Sequence, residues 1–307
     1  MQQEKTKLQA RIESGKQILV AEISPPRSPD ASLVRTLAKQ FAGHVHALGV
    51  SDNRDGVRMS AMAAASIVAA EGLEPVLHMT TRDRNRAGLV SDCLGAHALG
   101  IHNILCTSGT HQSLQPFHAS KNVFDIDATI LLQSLRGLQQ EKNASIVGEE
   151  NIDGHVSYCL GAVASPFADP VELQLPRLAQ KIFVGAQFLI TQPVFDIDRF
   201  FVWWKEVTAR SLHEKSAFIA GIKVLTDSAA AKAYAEKRPQ PLIPESVLSR
   251  LASQTDAKKC RQEGIKIALE TVEKLSAAQG LRGFEIVCDE DHDAALEILD
   301  SLKSDLD

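Results

Sequence analysis

The sequence predicts an α/β fold, a (β/α)8 TIM barrel, and three observations support this. Eight short runs of apolar and β-branched residues recur along the 307 residues. Longer stretches with apolar residues at helical spacing separate these runs. The runs are apolar nearly throughout, which is typical of parallel strands buried on both faces by helices. Eight such units fit a closed barrel better than an open doubly wound sheet.

The elements follow one another in a repeating order. The polar segment 1–16 is expected to form an added N-terminal helix. Runs such as QILVAEIS and QFLITQ, rich in aliphatic and β-branched residues, give the strands, which are predicted at 17–24, 45–52, 74–81, 102–109, 156–165, 187–192, 217–225 and 284–290. Apolar residues that return every three or four positions give the helices, which are predicted at 30–42, 57–71, 86–99, 127–141, 170–183, 196–209, 227–237 with 244–253, and 257–279. A long loop, 110–126, follows the fourth strand, and no Pro- or Ser-rich linker divides the chain, so residues 1–307 are predicted to form a single domain.

Composition and charge exclude several classes of function. The formal net charge is -5, so the chain lacks the basic surface that a nucleic-acid partner needs. No run approaches the roughly 18 apolar residues of a membrane span, and the polar start is unlike a signal peptide, so a cytoplasmic protein is expected. The five cysteines are scattered without a C-x-x-C pair. They are interpreted as buried thiols, and no metal site is predicted.

Polar residues gather where the predicted strands end. The carboxyl ends of barrel strands surround one mouth, so these residues are candidates for a site. They are Glu22, Ser51, Asp52, Asn53, His78, Thr80, Thr81, Arg82, Asp83, Asn85, Thr107, Ser108, Gly109, Thr110, His111, Thr191, Gln192 and Lys223. Glu22 is the sharpest case, because a carboxylate between Ala21 and Ile23 must be paired or functional.

Each candidate also has a structural interpretation. Glu22 could form a salt bridge with Arg27 or Arg54, and His78 could be a satisfied core histidine. Residues 82–84 could be a solvated turn, and Arg177 with Lys181 could be an exposed helix face. For the tryptophans at 203 and 204, packing or a subunit contact is favoured over a cofactor.

A set of motifs carries a family resemblance. Glu22 before PPR, GLEPVLHMTTRDRN at 72–85, GAHALGIHNILCTSG at 95–109, KIFVGAQFLITQPVFD at 181–196 and GIKVL at 221–225 followed by IPESVLSRL at 243–251 occur in order. Together they resemble methylenetetrahydrofolate reductase, a flavin-dependent barrel of one-carbon metabolism, over about residues 17–300. The DN at 52–53, with Arg58 and Ser60, is similar to the branch found in anaerobic one-carbon pathways, which sometimes works in electron-transfer complexes.

The resemblance implies a role for each matching residue. Glu22 matches the general acid that protonates the folate nitrogen, so that 5,10-methylenetetrahydrofolate opens to an iminium cation and is reduced to 5-methyltetrahydrofolate. The folate substrate would be bound by Gln192 and Lys223. The resemblance implies FAD, with FMN as the alternative, and NADH or NADPH as electron donor. The implied cofactor-binding residues are Ser51, Asn53, His78, Asp83, Asn85, Ser108, Gly109, Thr110, Arg177 and Lys181.

Two positions depart from the family pattern. Gly109-Thr110 stands where the family has Gly-Asp near the flavin, and Ser228 stands where a Phe packs on the folate. Either the substrate sits differently, or Asp52, Asp83 or Glu22 supplies the missing charge, or catalysis is weakened. A flavin- or folate-binding subunit of an electron-transfer complex, a homo-oligomer, and a flavin-free pterin-binding methyltransferase are therefore kept as alternatives.

Overall fold

Eight parallel strands form a closed barrel in the computed structural model, which describes residues 5–114, 119–141, 148, 151–237, 243–287 and 289–302. Each strand pairs with the next, and the eighth pairs with the first. The predicted (β/α)8 TIM barrel is therefore confirmed. The strands are β1 Ile18–Ile23, β2 Ala47–Val50, β3 Pro75–Thr80, β4 Asn103–Thr107, β5 Cys159–Ala164, β6 Phe188–Pro193, β7 Ala217–Lys223 and β8 Gly283–Val287.

Helices cover the outside of the barrel. They are α1 Lys7–Glu13, α2 Ser32–Phe41, α3 Ala61–Ala70, α4 Arg86–Ala98, α5 Ala128–Glu141, α6 Val171–Phe183, α7 Ile197–Ala209, α8 Ser228–Lys237, α9 Glu245–Ala252, α10 Ala257–Ser276 and α11 His292–Ser301. The sequence interpretation missed α11. Its apolar residues do recur at helical spacing, Ala294 and Ala295 then Ile298 and Leu299, all of them fully buried.

The first helix, α1, closes the amino-terminal end of the barrel. Leu8 is fully buried in the same apolar cluster as Ile18 and Val20, inside the barrel. The carboxylate of Glu74, which precedes β3, accepts hydrogen bonds from the backbone N–H groups of Lys7 and Leu8, at 2.8 and 3.4 Å. The predicted N-terminal helix is therefore confirmed.

Arg282, near the other end of the sequence, also binds α1 and the residues that follow it. The guanidinium of Arg282, just before β8, donates to the carbonyl oxygens of Arg11, Ile12 and Lys16 at 3.3, 3.2 and 2.9 Å. These bonds join the first residues of the chain to its last strand.

The interior of the barrel is packed rather than hollow. Phe188 fills the centre, and a side chain on Gly161 would meet its ring at 2.2 Å. Gly283 begins β8 with φ +148, and a Cβ there would lie 1.8 Å from the carbonyl oxygen of Ile18. The strands β8 and β1 can therefore close the barrel only if residue 283 has no side chain.

Two other sequence expectations can be compared with the structure. Four cysteines are free and buried, as predicted; Cys288 lies outside the described residues. In the part of the chain that the structure describes, no helix is both long and apolar enough to cross a bilayer.

Candidate active site

A cavity of about 400 Å³ opens at the carboxyl ends of the strands. Residues from six of the eight strands and from the loops after them line it. Six of the residues to which the resemblance gives a role are among them, namely Glu22, Ser51, His78, Gly109, Thr110 and Gln192, together with the strand-end candidates Asp52, Thr80, Arg82, Thr107 and Thr191. The cavity also contains residues that the sequence interpretation did not assign, including Arg54, Tyr234 and Glu285.

Glu22 lines this cavity and is only 6% exposed. Arg54, from the loop after β2, donates a very short hydrogen bond to its carboxylate. Burial acts to lower the pKa of Arg54, but the charges of Glu22 and of its other neighbours, Tyr234, Asp289 and Asp55, together outweigh burial, so the pKa is raised. Of the two partners considered from sequence, Arg54 is the one observed, since Arg27 donates to the carbonyl oxygen of Asp55 at 2.6 Å.

Two further titratable side chains, those of His78 and Glu285, lie close to Glu22. One potential ligand atom from each of Glu22, His78 and Glu285 lies within 4.8 Å of the others, and all three residues are buried. Burial lowers the pKa of His78, so its imidazole is neutral at pH 7. Burial and the neighbouring Glu22 raise the pKa of Glu285 well above its usual value.

Glu285 is the main functional candidate that sequence reasoning missed. It occupies the middle of β8, between the buried residues Phe284 and Ile286. That is the same signal, a charged residue inside an apolar strand, that identified Glu22. Glu285, however, lies two residues before the end of β8. Site residues are normally sought at the strand end itself.

A second network surrounds the loop after β3. The Asp52 carboxylate accepts from the backbone N–H of Thr80 at 3.1 Å and from Arg84 at 2.7 Å. Arg82 is 1% exposed and forms two 2.7 Å hydrogen bonds with Asp83. Residues 82–84 are therefore not a simple solvated turn.

Arg82 also ties together two loops that carry predicted cofactor residues. It donates to the carbonyl oxygens of Asn53 and Thr110, at 3.1 and 3.2 Å. Gly109 has φ +79, and a Cβ there would lie 2.2 Å from the hydroxyl of Thr80. The loop after β4 therefore approaches β3 closely, which only glycine allows.

A second cavity, of about 460 Å³, adjoins the first through Val163, which lines both. It contains the predicted residues Ser108, Arg177 and Lys181. The ammonium of Lys181 donates to the carbonyl oxygen of Val163 at 2.7 Å, and burial lowers its pKa. Arg177 and Lys181 on α6 therefore line a cavity and do not belong only to an exposed face of the helix.

Four residues with an implied role, Asn53, Asp83, Asn85 and Lys223, lie apart from the described linings of both cavities. Lys223, at the end of β7, is buried in an ion pair with Asp289, and its ammonium lies 5.0 Å from the ring centre of Tyr234. Asn85 caps α4, because its side-chain oxygen accepts from the backbone N–H of Gly88 at 2.9 Å.

The tryptophans of α7 are packing residues. Trp203 and Trp204 are 2% and 4% exposed, and their rings lie 6.0 and 5.3 Å from that of Phe218 in β7.

Comparisons with solved structures agree with this fold. A protein from Clostridium thermocellum that binds two copies of 5-methyl-5,6,7,8-tetrahydrofolic acid superposes with a TM-score of 0.65, 12% identity, and coverage of 97% of this chain and 99% of that one. EDTA monooxygenase from Chelativorans sp. BNC1 gives a TM-score of 0.56 at 10% identity, with coverage of 95% and 93%.

Sequence comparisons identify the family. Methylenetetrahydrofolate reductase 2 of Saccharomyces cerevisiae is 27% identical over 239 residues, which are 74% of this chain and 37% of the yeast protein. A probable methylenetetrahydrofolate reductase (NADPH) of Caenorhabditis elegans is 28% identical over 199 residues, 65% of this chain and 28% of the worm protein. The chain thus spans only about a third of the length of these relatives. The methylenetetrahydrofolate reductase family model matches residues 7–303, and the chain belongs to that family.

Proposed function

We propose that the protein reduces 5,10-methylenetetrahydrofolate to 5-methyltetrahydrofolate with a bound flavin, and that Glu22 delivers the proton. The observation that carries the proposal is the buried side chain of Glu22 in the lining of a cavity that Gln192 also lines. A desolvated carboxyl group at this position suits general acid catalysis. Family membership supports the reaction type.

Gln192 is suited to hold the folate. Its side-chain oxygen is buried and lacks a hydrogen-bond partner. A buried amide oxygen without a partner is costly, so a donor on the ligand would relieve that cost. The pterin ring of a folate offers N–H groups for this purpose. Lys223 stays a predicted substrate contact that would act from the edge of the site.

The two adjoining cavities suit a ligand with a flat ring and an anionic tail. His78, Ser51, Gly109 and Thr110 line the first cavity, where the ring would lie. Arg177 and Lys181 line the second, where they would meet phosphate oxygens. Asn53 and Asp83 would act indirectly, since both are bonded to Arg82, while Asn85 and Ser108 stay predicted contacts. A flavin bound there, FAD or alternatively FMN, would supply the hydride, with NADH or NADPH as the electron source.

A second candidate function is a subunit that depends on a partner for its electrons. Thr110 carries no charge, and the carboxylates that could replace the family's aspartate are already neutralised. Arg84 binds Asp52, Arg82 binds Asp83 and Arg54 binds Glu22. Weaker stabilisation of the cationic substrate would follow, which favours a slower enzyme or a component of a larger complex.

Absorbance spectroscopy under anaerobic conditions tests the proposal. The purified protein should show a flavin spectrum that NADH or NADPH bleaches and that methylenetetrahydrofolate restores. A different result would support the subunit that depends on a partner for its electrons. In that case neither NADH nor NADPH would bleach the flavin, but methylenetetrahydrofolate would reoxidise flavin that had been reduced chemically. A protein that binds no flavin, even when reconstituted with FAD or FMN, would contradict both.

We expect Arg177→Ala to weaken flavin binding about 10- to 100-fold, because one charge-assisted hydrogen bond to phosphate contributes about 1.5–3 kcal/mol. Lys181→Met should act in the same direction. Quenching of flavin fluorescence during titration of the apoprotein gives the affinity. Lys215→Ala is the matched control, since Lys215 is exposed before β7 at the opposite end of the barrel. Equal affinities in all three variants would place the phosphate elsewhere.

A further inference from the structure

Glu285 has an environment that the proposed reaction does not explain. The side chain is 3% exposed, and its Oε1 atom is buried without a hydrogen-bond partner. On β7 the residue paired with it is Gly221, which provides no side chain. The Arg54 guanidinium is hydrogen-bonded to Glu22, although its charge is felt at Glu285. A full negative charge on Glu285 would therefore be poorly compensated.

The charges around Glu285 come from several elements. The titratable and charged groups that face the site are Glu22 on β1, Asp52 and Arg54 after β2, His78 on β3, Arg82 after β3, Lys223 on β7, Tyr234 on α8 and Asp289 after β8. Arg82 is paired with Asp83. Asp52 pairs with Arg84 and Lys223 with Asp289, and His78 has a buried Nε2 without a partner. Two carboxyl groups thus share one nearby arginine, which is the arrangement in which one of them stays protonated.

We propose that Glu285 stores the proton that Glu22 delivers to the substrate. Glu285 is a positioning residue in this scheme, since it acts through Glu22. The inference rests on the proposed function for its catalytic part, while the stored proton is a property of the protein alone.

The proton balance is simple. The O–H bond of Glu285 breaks and its proton moves to the Glu22 carboxylate, which passes it to a folate nitrogen. The electron pair of the breaking C–N bond in the methylene bridge stays on that nitrogen, and the hydride that completes the methyl group comes from the reduced cofactor. Solvent then restores the proton to the Glu285 carboxylate.

A shared proton suits the site better than a divalent cation. Two carboxylates and an imidazole are acceptable ligands for several metals. Here, however, the Arg54 guanidinium already occupies Glu22, and its positive charge opposes a second cation in the same buried space. Neutral Glu285 beside the Glu22–Arg54 pair leaves no net charge in the cluster.

A pH–rate profile tests the relay. We expect Glu285→Gln to reduce the rate of folate-dependent flavin reoxidation about 10- to 100-fold at about pH 8. The deficit should shrink toward about pH 5, because protons from solvent are then abundant enough to replace those that Glu285 no longer supplies. Glu285→Asp should recover part of the loss. A deficit that is equal at every pH would indicate a structural role and overturn the relay.

Urea unfolding tests the stored proton without any reference to activity. At pH values above the usual pKa of a glutamate and below the raised pKa of Glu285, folded wild type keeps a proton on Glu285 that the unfolded chain releases, so the stability of the protein falls as pH rises. The unfolding equilibrium constant of wild type relative to Glu285→Gln should rise about tenfold per pH unit. Parallel curves would refute the stored proton even if folate reduction is confirmed.

Two further measurements keep this experiment decisive. Glu22→Gln frees Arg54 to pair with Glu285, so the pH dependence should weaken in that variant, and an unchanged slope would overturn the assignment. Equilibrium dialysis of the wild type against Zn2+ and Mn2+ is expected to show no stoichiometric binding to the cluster. A tightly bound ion that is lost in the His78→Ala variant would show that the cluster holds a metal and would overturn the stored proton. If folate reduction itself fails, the unfolding result still stands.

Discussion

Glu22→Gln is expected to lower folate reduction about 10²- to 10⁴-fold while flavin stays bound. The amide has nearly the shape of the carboxyl group but cannot transfer a proton at neutral pH. Stopped-flow reoxidation of the reduced flavin by methylenetetrahydrofolate measures the step directly. Reduction of the flavin by a nicotinamide should change little, because that step needs no proton from the folate side.

The control for this variant must also remove a carboxylate that is hydrogen-bonded within the fold, and the half-buried Glu74 provides one. Glu74→Gln meets that need, since Glu74 binds α1 and Asn103 at the opposite end of the barrel. It should lose some stability and keep its reoxidation rate. A Glu22→Gln protein that folds, binds flavin and reduces folate at the wild-type rate would remove Glu22 from the mechanism.

Gly283→Ala is expected to destabilise the barrel by more than about 4 kcal/mol, or to prevent folding. The new Cβ would stand 1.8 Å from the carbonyl oxygen of Ile18, at a φ of +148 that side chains rarely adopt. Relief would require β8 to move away from β1 and would break their ladder. Urea unfolding followed by circular dichroism gives the loss.

Gly137→Ala is the matched control for the glycine substitution. Gly137 lies within α5, and an added Cβ would meet nothing within 4 Å. Alanine favours helices over glycine, so this variant should gain up to about 1 kcal/mol. Equal, small effects of the two substitutions would show that β8 and β1 do not need close contact at Gly283.

The fold could be predicted because its signal is local and repeated. The strands are apolar nearly throughout and longer helical segments separate them, so eight independent units gave the same result. The last helix, α11, was missed because it follows an acidic stretch, although Ile298 and Leu299 carry the usual spacing. The ends of the strands differ from the predicted ends by a few residues. The strand β2, for example, is shorter than predicted. His46, just before β2, accepts a hydrogen bond from the backbone N–H of Leu19.

The site was predictable only in part. Strand ends can be located from the sequence, but the hydrogen-bond and ion-pair partners of the residues there cannot. Glu22 and Gln192 were found by position, and both line the cavity. The choice of Arg54 over Arg27 depends on how two loops fold over the mouth, and Glu285 lies deeper than a strand-end search reaches. Asn85 stays a predicted contact, and the structure adds a second role for it, because its side chain also caps α4.

The bonds between Arg282 and α1 set an order of events during synthesis. Residues 11–16 leave the ribosome about 270 residues before their partner. Until Arg282 emerges, the carbonyl oxygens of Arg11, Ile12 and Lys16 lack the guanidinium that binds them in the folded protein. Contacts of such long sequence separation form slowly, so the nascent chain must keep this helix from aggregating until the last strand arrives.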